Sequence, residues 1–532
     1  MQRIEIYDTT LRDGSQGEGV SFSLQDKLLI CHRLDELGVD FIEGGYPLSN
    51  PKDAAFFSEA RGLKLKTAKL LAFGMTRRKG VAPADDVGLN ALRDAETQYV
   101  TIVGKTWDMH ATEVLGVSLQ ENLDMIADSI AYLKSLGRNV IYDAEHFFDG
   151  FKANPDYALK TIAAAAQAGA ALVCLCDTNG GTLPPQVQTC VRQALEHIKV
   201  PVGIHPHNDS GLAVANALAA VTAGATQVQG TINGIGERCG NVDITTVIAN
   251  LRLKLGYDCL KSDSLIHLTD TSRYIYEIAN LNAVNNQPYT GSSAFAHKGG
   301  MHVHAVNKMA GSYEHVAPEQ VGNSRRILVS ELSGISNIAA KAGKKFNIEQ
   351  DRVVLKKVLD RVSELESQGY QFEAAEASFE LILRRQIGRM RKFFELKNYR
   401  CAVSRQANGK PVTKATLSVT ANHREINASA EGDGPINALD AALRHALEPE
   451  FPAIADLHLV DYKVRVVNGR AESAAKVRVV IEFRSPEGVF GTIGVSENII
   501  DASWQAIADA VEYRLIHAAE AAAAAQPTNA AS

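Results

Sequence analysis

At 532 residues the chain exceeds what one hydrophobic core supports, so two or three domains are expected, with ample apolar sequence to fill them. A formal net charge of -6 leaves no basic footprint of the kind that nucleic acid or an anionic membrane surface requires, which excludes both as partners. Residues 1–6 enter a strand without an apolar leader, no apolar run is long enough to span a bilayer, and the seven scattered cysteines lack zinc-type spacing. The expected setting is therefore the cytoplasm, with reduced thiols.

Short runs rich in Val and Ile recur at 4–8, 39–44, 68–74, 99–104, 139–145, 171–177, 201–207 and 226–232. Segments between them, such as 24–37 and 212–223, carry apolar residues at helical spacing. Repeating βα units with near-continuously apolar strands predict a parallel sheet buried on both faces, and eight of them predict a (β/α)8 TIM barrel. A doubly wound open sheet fits less well, because no Gly-x-Gly-x-x-Gly turn follows the first strand. Past about residue 260 the alternation stops. A helical stretch through 270–276 leads to a charged helix at 350–368, and from about 372 the pattern turns α+β, with alternating strands at 415–419 and 476–481 and a helix at 435–447. The expected division is a catalytic barrel at 1–265, a helical connecting subdomain at 266–371, a C-terminal α+β domain at 372–520 and a disordered tail at 521–532.

In such a barrel the chemistry sits at the C-terminal ends of the strands. Polar residues stand there in number: Arg12 and Asp13 after the first strand, Glu43 at the second, Glu145 at the fifth, Asp177 and Thr178 at the sixth, His205 and His207 at the seventh, and Glu237, Arg238 and Asn241 after the eighth. Two histidines two apart on a strand point to one face, so with Asp13 and the Asn241 amide oxygen they form a mixed N/O donor set. That set suits a divalent Lewis acid, Mn²⁺ or Mg²⁺ first, Zn²⁺ or Co²⁺ next. A metal beside Arg12 is suited to a 2-oxo acid, with the guanidinium stabilising developing negative charge. Arg12 could instead form an ion pair with Asp13 or Glu43. Asp177, Asp209 and Arg238 read as capping or solvated residues and Cys239 as packing; Leu71, Trp107 and Tyr142 are pocket candidates, with core packing the favoured reading for Leu71 and Tyr142.

The segments 8–16 (DTTLRDGSQ), 205–209 (HPHND) and 234–241 (GIGERCGN) resemble the acyl-CoA-condensing family of metal-dependent barrels that comprises the 2-isopropylmalate, homocitrate and citramalate synthases. The stretches 105–110 (KTWDMH), 143–150 (DAEHFFDG) and 297–302 (HKGGMH) are similar to its citramalate-forming branch. The resemblance implies condensation of acetyl-CoA with pyruvate and hydrolysis to (R)-citramalate and CoA, opening the pyruvate route to isoleucine; the alternative is 2-isopropylmalate from 2-oxoisovalerate, for leucine. It implies Asp13, His205, His207 and Asn241 around the metal; Arg12, Glu43 and Thr178 on the oxo acid; and Arg12, Glu145, Glu237, His302 and Tyr313 in catalysis. His302 would deprotonate the acetyl methyl, with His297 and His304 as competitors. The segment 431–439 (EGDGPINAL) is similar to the family's LeuA-type regulatory and dimerisation domain. This implies a homodimer and isoleucine as feedback inhibitor near Gly432, Asp433 and Gly434.

Overall fold

The structure, a computed structural model, describes residues 2–260, 264–329, 335–405, 409, 411–467, 475–486 and 488–525. The chain divides into two compact units, Met1–Phe295 with Val316–Arg325, and Ala296–His315 with Arg326–Ser532. In the first unit, β1 (Glu5–Asp8), β2 (Phe41–Glu43), β3 (Lys69–Met75), β4 (Tyr99–Lys105), β5 (Asn139–Glu145), β6 (Leu172–Asp177), β7 (Val202–Pro206) and β8 (Gln227–Gly230) close a parallel barrel in sequence order. The barrel shuts where Glu5 to Asp8 pair with Gln227 to Gly230. All eight Val/Ile-rich runs are strands.

The helices form where the periodicity places them. Helix Leu24–Leu37 is bounded by a reciprocal capping box between Ser23 and Asp26 and ends at Gly38, whose φ of 91° is left-handed and suits a residue without a Cβ. Helix Ala213–Ala223 has Leu212 as its N-cap residue. Strand alternation then separates two environments. Tyr7, Phe41, Leu71, Ile141, Leu172 and Cys174 gather as an apolar plug inside the barrel, while their neighbours Ile6, Ile42, Ala72, Val140 and Val173 join the core under the helices. One step further along the inward positions, the plug gives way to polar side chains. The helix Leu268–Ile278 belongs to this first unit, which therefore reaches past residue 265.

In the second unit, β9 (Ala296–His297) pairs with β10 (Arg326–Ile327), and the charged helix is Arg352–Ser367. Then one pattern occurs twice: the antiparallel strands β11 (Phe394–Arg405), β12 (Pro411–Ala421) and β13 (Arg424–Gly432) precede helix Pro435–Leu447, and β14 (His458–Val466), β15 (Val477–Ser485) and β16 (Gly488–Ser496) precede helix Ile499–Ala525. Both helices and both sheets share one core that includes Leu417, Leu439, Leu443, Ile481 and Ile507. The expected disordered tail from 521 meets a helix that runs to Ala525, and 526–532 lie outside the described residues. Among the described residues no helix is long and apolar enough to cross a membrane.

Glu512, on the last helix, is almost fully buried and accepts the Phe393 N–H at 3.2 Å. Burial pushes its carboxyl up to about 7, against backbone donors that lower it. A carboxyl raised in the folded state costs nothing at low pH, where it is neutral folded or unfolded, and weakens the fold as pH rises from about 4.5 through about 7. Glu512→Gln is therefore expected to raise Tm at pH 8, by up to about 3 kcal/mol of stability, with no gain at pH 4. Scanning calorimetry at both pH values checks it.

Candidate active site

The turn after β1 carries the first polar group. Thr10 locks it: its hydroxyl donates to Asp8 at 2.8 Å and accepts the Ile232 N–H at 2.9 Å, which ties β1 to the loop after β8. Arg12 then lies over the Phe73 ring at 3.8 Å, donating through Nε to Glu43 and through both terminal nitrogens to Asp13. Glu43 is fully buried and also accepts the Tyr7 hydroxyl, whose oxygen is 2.8 Å from Thr101 Oγ1. Burial raises the Glu43 carboxyl in spite of Arg12; for Asp13 burial is overcome by Arg12, His205 and His207, which hold it below the usual range. Arg12 thus makes ion pairs with both Asp13 and Glu43. Glu43 sits behind the guanidinium rather than on the cavity wall.

His205 and His207, two apart on and just after β7, have rings 5.5 Å apart. His205 Nδ1 lies 2.9 Å from Gln229 Oε1, an acceptor, so Nδ1 carries the proton and Nε2 keeps its lone pair. That lone pair faces Asn241 Nδ2 at 3.0 Å and Asp13 Oδ2 at 3.5 Å. The loop bearing Asn241 is pinned by Val242 N–H to Pro206 and Asn208 N–H to Gly240, each 2.9 Å. Burial, then His205, pushes the His207 imidazole down to about 4, so it is neutral at physiological pH. His207 Nδ1 and Asn241 Oδ1 are buried with no hydrogen-bond partner among the described residues. Two orphaned buried donor atoms beside a neutral imidazole and a charged Asp13 fit a hard divalent cation. The donor atoms of Asp143, Cys174 and Cys176 also lie within 4.8 Å of one another. That trio fits a cation poorly: burial drives the Cys174 thiol far up, and Cys176, lowered by its hydrogen bond to Cys174 but raised by burial together with the charges of Asp143, Glu145 and Asp13, reaches about 11, so both stay protonated.

A cavity of about 290 Å³ opens above these residues. Arg12, Asp13, His205 and His207 form part of its wall; Glu145, Thr178, Glu237 and Arg238 form the rim. Glu145 pairs with Lys105, directly opposite in the β4–β5 register. Thr178 Oγ1 accepts the His146 N–H at 2.9 Å, which frees its own proton for the cavity. Arg238 grips Asp209 at 2.8 and 2.9 Å and the Thr178 carbonyl at 2.7 Å. Asp177 receives the Thr182 hydroxyl at 2.8 Å. Cys239 is exposed rather than packed. The apolar wall is Tyr46, Phe73, Met75 and Val103. Leu71 belongs instead to the plug below, Tyr142 is buried under the helices, and Trp107 stacks on His110 at 5.1 Å.

The sequence matches the HMGL-like family over residues 3–275, the homocitrate synthase post-HMGL domain-like family over 289–370 and the LeuA allosteric (dimerisation) domain over 373–515. The (R)-citramalate synthase of Geobacter sulfurreducens is 52% identical over 518 residues, 97% of this chain and 98% of that one. The chain belongs to the citramalate synthase family. A probable 2-isopropylmalate synthase of Methanopyrus kandleri is more distant, 33% identical over 95% of this chain and 97% of its own. Among solved structures, the HMG-CoA lyase of Bacillus subtilis aligns with 53% of this chain and 95% of its own at 18% identity and a TM-score of 0.46.

In this member of the citramalate synthase family, His302 and Tyr313 belong to the second unit, where their rings stack at 4.2 Å. His297, in the same unit, is held by Glu314 at 3.1 Å, and His304 is exposed. Gly432 ends β13, and Gly434 precedes helix Pro435–Leu447. A Cβ at Gly432 would collide with the Ala438 nitrogen at 2.6 Å, so only glycine fits there. The Asp433 N–H donates to Asn437 at 3.2 Å.

Gln229 and Asp143 were not singled out by sequence reasoning. Gln229 Nε2 donates to Asp143 Oδ1 at 3.1 Å, and burial pushes Asp143 up to about 7. The signal available was Gln227-Val228-Gln229, an amide on alternate positions of a strand otherwise read as core. Gln229→Leu leaves the His205 Nδ1 proton without its acceptor. Mn²⁺ affinity measured by calorimetry is expected to fall roughly 10- to 100-fold with the fold intact by circular dichroism; unchanged affinity would remove the orienting role.

Proposed function

We propose that the chain condenses acetyl-CoA with pyruvate and hydrolyses the resulting thioester to (R)-citramalate and CoA. The observation that carries this reading is the cavity itself, with a locked guanidinium and an orphaned donor set on one side and a short apolar wall on the other, in a chain 52% identical to a curated (R)-citramalate synthase. Three of the Arg12 N–H groups are used by Glu43 and Asp13, leaving one on each terminal nitrogen for the oxo acid and the oxyanion that forms from its ketone. The Thr178 hydroxyl donates to the substrate carboxylate. A divalent cation held by Asp13, His205, His207 and Asn241, Mn²⁺ or Mg²⁺ in our reading, would supply Lewis-acid polarisation of the oxo-acid oxygens.

His302 accepts a proton from the acetyl methyl, with Tyr313 positioning its ring. The carbanion carbon then bonds to C2 of pyruvate, and the ketone oxygen takes up a proton. Water adds to the thioester carbonyl, the C–S bond breaks, and the CoA sulfur leaves with a proton; Glu145 and Glu237, the carboxylates at the rim, serve this step. The regulatory reading places isoleucine as inhibitor at Gly432, Asp433 and Gly434, in a cytoplasmic homodimer organised as barrel (1–265), connecting subdomain (266–371) and regulatory domain (372–520). The LeuA-type match supports it.

Chiral analysis of the product from pyruvate and acetyl-CoA tests the reading; (R)-citramalate is expected, and the S isomer or no product would defeat it. Met75→Ala enlarges the apolar wall, and the preference for pyruvate over 2-oxobutanoate in kcat/KM should drop roughly tenfold. His302→Asn should slow both turnover and deuterium exchange into the acetyl methyl by roughly 10²–10⁴-fold. If His304→Asn or His297→Asn has that effect and His302→Asn does not, the base is reassigned.

A further inference from the structure

We infer that Arg238 and His146 are positioning residues that set the Thr178 hydroxyl for the carboxylate of the oxo acid, and that the Arg238–Asp209 ion pair is the brace through which Arg238 does so. This rests on the oxo acid lying at Thr178, as proposed above, and adds the residues that hold that donor in place. Two strained backbones converge on Thr178. His146 has a φ of 54° and Arg238 a φ of 56°, in the left-handed region that a residue with a side chain adopts only where its surroundings hold it there. The His146 N–H donates to Thr178 Oγ1 at 2.9 Å, so one lone pair of that oxygen is engaged and the hydroxyl proton is directed elsewhere. Arg238 reaches the same residue from the loop after β8, its Nη2 donating to the Thr178 carbonyl at 2.7 Å. Thr178 is thus held at its side chain from the β5 end and at its backbone from the β8 end.

The residues that follow are held as well. Asn179 Nδ2 donates at 3.0 Å to Asp149 Oδ2, the oxygen that also lies 3.2 Å from His146 Nδ1. The Gly180 carbonyl accepts the Ser210 N–H at 3.0 Å and the Ser210 hydroxyl at 2.6 Å, which ties the loop after β6 to the loop after β7. Gly180 has a φ of 62°, and a Cβ there would stand 2.5 Å from Asp209 Oδ2, so the loop is shaped to admit that carboxylate. Asp209 in turn receives Arg238 Nε at 2.8 Å and Nη2 at 2.9 Å. A half-exposed ion pair contributes little by attraction alone. Here the fork is bidentate and shares Nη2 with a carbonyl, so the pair fixes the direction in which the guanidinium meets Thr178.

A hydroxyl held in this way before the oxo acid arrives donates with little ordering cost. The carboxylate takes no part in bond making, so the hydroxyl serves bound substrate and transition state alike, and loss of the brace is read in KM for the oxo acid rather than in kcat.

Three single variants test this. Arg238→Gly accepts the left-handed backbone freely and removes the brace, Asp209→Asn keeps the shape of its partner and removes the charge, and His146→Val puts a branched Cβ where the left-handed φ is needed. In each, KM for pyruvate is expected to rise roughly tenfold, with kcat, KM for acetyl-CoA and the circular dichroism spectrum little changed. Thr178→Val should raise KM for pyruvate at least as far, and none of the three should add to that loss in the Thr178→Val background, because all act through one hydroxyl. A pyruvate KM untouched in Arg238→Gly and Asp209→Asn, equal rises for pyruvate and acetyl-CoA, or losses that add to that of Thr178→Val would overturn the positioning role. Failure of the wild-type chain to release CoA with pyruvate would instead strike the proposed function, and the oxo acid that does elicit release then serves the same comparison.

Discussion

A cation largely withdrawn from water at the barrel mouth is the constraint on which the site depends. Arg12 lies under the cavity with Glu43 and Asp13 as its partners and Phe73 as its floor. Taking a guanidinium out of water costs several kcal/mol unless its donors are matched, and removing one partner of such a pair costs about 3–5 kcal/mol. The partners come from different strands: Glu43 from β2, Asp13 from the turn after β1, and the Tyr7 hydroxyl that shares Glu43 from β1. Satisfying the charge therefore fixes how the first two strands meet. It also leaves Asp13 ionised beside two imidazoles, which is the condition for cation binding.

The same alternation that builds the plug builds the site. Inward positions along β5 read Ile141, Asp143, Glu145, and along β6 and the residue beyond it Leu172, Cys174, Cys176, Thr178: apolar at the bottom, polar at the top. The cavity thus has a dry floor and a charged rim, which strengthens interactions inside it. On β3 the corresponding series is Leu71, Phe73, Met75, so one strand supplies floor, cation partner and acyl wall in succession.

The barrel was legible because eight apolar runs and the helical spacing between them repeat without a break, and the strand-end residues followed from the barrel. Asp13, His205, His207 and Asn241 converge because each stands at a strand end. What the sequence hid is a matter of parity. Leu71 is inward but one layer too low, Tyr142 is one residue out of phase and faces the helices, and Met75 and Val103 look like ordinary strand hydrophobics. Gln229 was hidden for the opposite reason: a short strand of mixed residues gives little indication which face lies against a histidine. The two meander-plus-helix repeats were legible only in part, since β11 and β14 carry mostly exposed residues and lack a clean apolar face.

The most direct measurement is the initial rate of CoA release from acetyl-CoA, after chelation and again after Mn²⁺ is restored, with pyruvate, 2-oxoisovalerate and 2-oxoglutarate compared side by side. The account predicts no release in the chelated enzyme and, with Mn²⁺, release that strongly favours pyruvate. Preference for 2-oxoisovalerate, or release that survives chelation, would contradict it.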